Sequence, residues 1–131
     1  MNERQCCYRV LFAAASVLLL SAALTGSSVA GEEAASANVE IAGERAHFAQ
    51  KFCGTSPERI RGYKERVRGA QQQASDFDRH WDAGWRKGED EDSQMSALRL
   101  GNPTDFASRV KADCERLKWL AENSVRARTK K

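Results

Sequence analysis

The stretch DFDRHWDAGW, residues 76–85, sets Asp76, Asp78 and Asp82 around His80, one of two histidines in a chain of 131 residues. Carboxylates beside an imidazole can move protons or hold a divalent metal ion. If the segment is helical, Asp76 and His80 stand one turn apart on one face. Two ligands are too few for a zinc site, which takes three or four protein ligands supported by a second shell. His47 is the only other histidine, and it lies off the apolar face of its own segment. It could add a third ligand only if the two surfaces meet. Phe77 and Trp81 fit an apolar helical stripe, and Asp82 with Arg86 forms an acid-before-base pair at i, i+4. The segment therefore reads first as the solvated face of a helix. The alternative is a metal-binding face of Asp76 and His80, with His47.

Other chemistry finds less support. The chain has no G-x-S-x-G, H-E-x-x-H, P-loop or C-x-x-C-H pattern. The acidic run Glu89–Asp92 lacks the spaced oxygens and turn glycine of a calcium loop. The expectation is a non-enzymatic protein with no cofactor.

The first thirty residues resemble a secretory signal peptide. Arg4 and Arg9 precede an apolar run of fifteen residues, Val10–Leu24, and TGSSVA follows, with Ser28 and Ala30 placed for a cut before Gly31. The run is short for a membrane span. Export to the periplasm or the medium is expected. Two of the 21 Lys+Arg and one of the 18 Asp+Glu fall in this segment, so 19 basic and 17 acidic residues remain. That near balance gives no reason to expect nucleic acid as a partner. Arg126, Arg128, Lys130 and Lys131 form a basic tail over 126–131 that could touch anionic envelope components.

Cys6 and Cys7 leave with the signal segment. Cys53 and Cys114 remain, and an even pair in an oxidising compartment predicts one disulfide.

The elements that must position these groups are all helical. GEEAASA, 31–37, has no apolar periodicity and is expected to be disordered. A single domain then spans 38–125. Its first helix carries Ile41, Phe48 and Phe52, with Ala42, Ala46, Ala49 and Cys53 on the adjoining stripe, and ends at Gly54. Ser56 and Pro57 open a second helix. Ile60, Tyr63, Val67, Ala70, Ala74, Phe77 and Trp81 make a heptad stripe along it, so it could run unbroken to Lys87 and stop at Gly88, with a bend near Gly62 or Gly69. GEDEDSQ reads as a connection, Met95–Gly101 as a short helix. Asn102 and Pro103 start the last helix, whose broad face holds Phe106, Val110, Cys114, Leu117, Leu120, Ala121 and Val125.

The fold expected is all-α: a small bundle of three main helices and one short one, pinned by the disulfide, with antiparallel neighbours. In gross architecture alone it resembles small periplasmic helical stress proteins with one disulfide. Trp119 stands off the apolar face beside Arg116, and Trp85 lies one step past the stripe. Either could anchor a protein interface. The function expected is that of a small exported binding, adaptor or stress-related envelope protein with a protein partner.

Overall fold

The computed structural model describes the backbone from Cys6 to Arg126 and side chains from Ser28 to Asn123. The apolar run 10–24 and the whole basic tail 126–131 fall outside those side chains. Four helices follow one another: α1 (Cys6–Phe52), α2 (Pro57–Ala70), α3 (Phe77–Gly101) and α4 (Pro103–Arg126). The chain is a small all-α bundle, and Cys53 and Cys114 are joined, with Cα atoms 5.6 Å apart. Among the described residues no helix is long and apolar enough to cross a membrane.

The helix ends follow local chemistry. Gly54 takes φ 65°, and the Cys53 and Thr55 amides both donate to the Ala49 carbonyl at 3.1 Å. This is the left-handed ending that glycine permits. The Ser56 hydroxyl accepts from the Arg59 amide at 3.4 Å, with Pro57 in the first turn. Asn102 caps α4 by accepting from the Asp105 amide at 3.1 Å.

Three expectations need correction. Residues 31–37 are helical, and Ala35 and Ser36 are buried. Ala35 opens a stripe of small residues, Ala35, Val39, Ala42 and Ala46, that the bundle covers. On α1 the alanine stripe is therefore the buried one, whereas Ile41 is 42% exposed. The segment 57–87 is not one helix: the chain reverses over residues 71–76. Ile60, Tyr63 and Val67 can then pack in the same core as Phe77 and Trp81. Lastly, α3 runs through Gly88 and the acidic stretch to Gly101 and absorbs the short helix; Met95 is buried on it.

α2 runs back against both α1 and α3, so α1 and α3 are parallel. Glu40, Glu44 and His47 meet His80, Lys87 and Asp92 in rising order. These two helices form the tightest pair. A Cβ on Gly84 would strike the Glu40 backbone, one on Gly43 would strike the Trp81 carbonyl, and one on Gly88 would lie 2.9 Å from the His47 Cβ. Only glycine allows that approach, as at small-residue helix contacts generally.

Candidate functional site

The histidine–aspartate segment lies at and just after the start of α3. Asp76 is not on a helical face. It precedes the helix at φ 47°, ψ 46°, with no side-chain cap bond, and its carboxylate sits 3.5 Å from Arg79. His80 points at α1, where its Nδ1 is 2.6 Å from Glu40 Oε1. His47 is buried rather than off the apolar face. Its Nε2 is 3.0 Å from Asp92, its ring meets Trp85 edge-on at 5.1 Å, and its buried Nδ1 has no hydrogen-bond partner among the described residues.

Glu40 and His47 are seven residues apart on α1, about 10 Å of helix. The histidines therefore serve different carboxylates at different levels of one interface. Among the described residues no three His, Cys, Asp or Glu side chains gather where they could hold a metal ion. Asp76, His80 and His47 do not come together as the alternative reading required.

Asp78 bridges back to α2. It accepts from Lys64 at 2.8 Å and Arg68 at 2.9 Å, and these bonds hold its carboxyl at about 2, below the usual 3.8. The same cations cover the aromatics beneath: Arg68 lies 4.2 Å from the Phe77 ring centroid and Lys64 5.4 Å from that of Trp81. Asp82 and Arg86 are exposed and form no ion pair with each other.

Of the surface tryptophans, Trp85 belongs to the interior. It packs against the core, and its indole N–H donates to Glu89 at 3.0 Å. Trp119 is 61% exposed on the outer face of α4, close in sequence to the exposed Arg116.

A broad concave feature of the bundle lies elsewhere. A groove of about 970 Å³ runs between α2 and α4 over α1. Its apolar lining includes Ala46, Ala49, Ile60, Leu117, Leu120 and Ala121, with the disulfide at one end. It exists because α4 is poorly covered. Phe106, Val110, Leu117 and Leu120 are all half-buried, and α4 contributes no fully buried residue among those described. Phe52 reaches Phe106 at 6.2 Å, and the disulfide ties α4 to the end of α1.

Tyr63 also lines the groove, half-buried, with its ring 6.0 Å from Trp81. Burial raises its hydroxyl above the ordinary value, and the nearby Arg45 and Arg66 partly oppose that rise. Sequence patterning found the apolar face of α4 but not the groove. The missed signal is arithmetic: α2 is 14 residues long and must share the α1 surface with two longer helices.

Comparison with protein-family models, curated proteins and solved structures finds no match to this chain.

Proposed function

We propose that this is an exported, non-enzymatic binding protein whose groove between α2 and α4 holds an apolar group of what it binds. The observation that carries this reading is the half-covered stripe of α4 facing Ile60 and Tyr63 across about 970 Å³. Pockets that take ligands are concave and mostly apolar, with few polar groups.

Export is supported by the signal-like first thirty residues and by a disulfide within the chain. A cut before Gly31 would leave Gly31–Phe52 as the packed part of α1, close in length to α3 at 25 residues and α4 at 24. Glu32 and Glu33 would then occupy the new first turn, where the helix dipole favours negative charge.

The test has two parts. Mass spectrometry of the exported protein should find Gly31 at the N-terminus; a retained segment 1–30 would overturn export in soluble form. The uncharged dye Nile red should bind the oxidised protein and lose binding in Leu117→Lys with the circular dichroism unchanged. Equal binding in the variant would overturn the groove.

A second reading rests on Trp119, exposed and flanked by arginine, as the anchor of a protein interface. Cross-linking in the native envelope that is lost in Trp119→Ser and kept in Leu117→Lys would favour it. Residues 126–131 would add contact with anionic envelope components.

A further inference from the structure

The charges around the groove are unevenly engaged. Arg45, Arg59, Arg66 and Lys118 line it and make no ion pair among the described residues. Two of its carboxylates are taken: Glu58 sits 3.8 Å from Arg61, and Glu115 sits 3.6 Å from Lys111. Arg45, Tyr63 and Arg66 line it together, Arg45 about two turns of α1 before Cys53, with the Arg66 guanidinium 6.0 Å from the Tyr63 ring centroid. The apolar trough thus offers two unpaired guanidiniums and a hydroxyl.

We infer that the groove is a site for a single-chain amphiphile with an anionic head, the head held between Arg45 and Arg66 beside Tyr63 and the chain laid over Ala49, Ile60 and Leu117 toward the disulfide. The inference rests on the groove reading above and names the ligand class. Guanidinium pairs favour carboxylate and phosphate oxygens over neutral polar groups. The trough walls are helices whose backbone groups are already bonded within the helix, so an extended peptide lying there would leave its own amides unpaired. An alkyl chain has none to satisfy. From Arg45 to Cys53 the floor rises eight residues along α1, about 12 Å, which suits a chain of medium length. Gly62 leaves the α2 rim low between Arg59 and Arg66; a Cβ there would meet only the Arg66 side chain, at 3.5 Å. One carboxylate opposes the arrangement. Glu122 also lines the groove and makes no ion pair among the described residues.

The experiment is displacement of Nile red from the oxidised mature protein by decanoate, decyl phosphate and decanol, each below its micelle concentration. Both anions should displace the dye at least about tenfold better than decanol, the size expected of a charge-assisted contact. Arg45→Gln and Arg66→Gln should each bring the anion curves toward that of decanol and leave the decanol curve in place. Arg45→Lys should retain part of the preference. Glu122→Gln should strengthen anion displacement. Whichever anion competes better identifies the head as carboxylate or phosphate. Decanol matching the anions would overturn the anionic-head site and leave the groove standing. Displacement by none of the three, with dye still lost in Leu117→Lys, would overturn the amphiphile alone. Dye binding indifferent to Leu117→Lys would overturn both.

Discussion

Gly84 lies with its bare Cα against the backbone of Glu40, so close that no other residue type fits without moving a helix. Gly43 meets the Trp81 carbonyl in the same way from the opposite side. Gly84→Ala should therefore lower stability by at least about 1–3 kcal/mol, the range for overpacked interiors, because backbone cannot rotate aside as a side chain can. Gly69→Ala is the control: nothing lies within 4 Å of its Cβ position, and helix propensity should raise stability by up to about 1 kcal/mol. Urea melts followed by circular dichroism check both. A harmless Gly84→Ala would contradict the close α1–α3 contact.

Asp76 is the one described non-glycine residue with positive φ. Aspartate tolerates this conformation better than most residues, though glycine adopts it without cost. Asp76→Gly should match or slightly exceed the wild type in melting temperature. Asp76→Val should lose about 1–2 kcal/mol. The opposite order would mean that the turn before α3 has another geometry.

Cys53 and Cys114 should be found oxidised to each other by non-reducing peptide mapping. Replacing both by alanine should cost about 2–4 kcal/mol. The loss should concentrate in α4, which has no fully buried residue among those described. Hydrogen exchange should show α4 amides losing protection first while those at the α1–α3 contact hold. Uniform loss across all four helices would show that the bridge supports the whole bundle instead.

Asp78 makes part of the α2–α3 link dependent on pH. Its carboxyl is held down to about 2 from 3.8 by Arg68 and Lys64. A lowered value means that the charged form is favoured on folding. The contribution is complete above the ordinary carboxylate value and fades as pH falls through about 2. The melting-temperature gap between wild type and Asp78→Asn should shrink over that interval. It should also shrink in strong salt, since the group is exposed. A gap constant down to pH 2 would remove the link.

Some of this was legible from residue types alone. Ser56–Pro57 and Asn102–Pro103 announce helix starts because capping and proline chemistry are local. Cys53 and Cys114 each lie along an apolar face, so their pairing could be expected. The reversal over residues 71–76 carries no proline and no glycine, only Gln71, Gln72, Gln73, Ala74, Ser75 and Asp76. The break is decided by packing on α1, which no local pattern encodes. Gly88 looked like a helix end but is a packing surface: Gly84 and Gly88 are four apart and both face α1. That spacing, matched to Ala42 and Ala46, was the available sign that α3 continues. His47 was misplaced for the same reason. Glycine on the opposing helix makes room for an imidazole that would otherwise face outward.

The best-packed interface among the described residues is far from local. Glu40–His80, Glu44–Lys87 and His47–Asp92 join residues 40, 43 and 45 positions apart. Helical bundles fold fast when their contacts are between neighbours in sequence. Here α1 has no snug partner until α3 exists and the whole of α2 has been looped out. The rate-limiting encounter should therefore be the docking of α3 on α1, with α2 already turned in its own local frame. Gly43 and Gly84 would then govern how quickly the chain folds as well as how long it stays folded, and their alanine variants should slow refolding more than they speed unfolding.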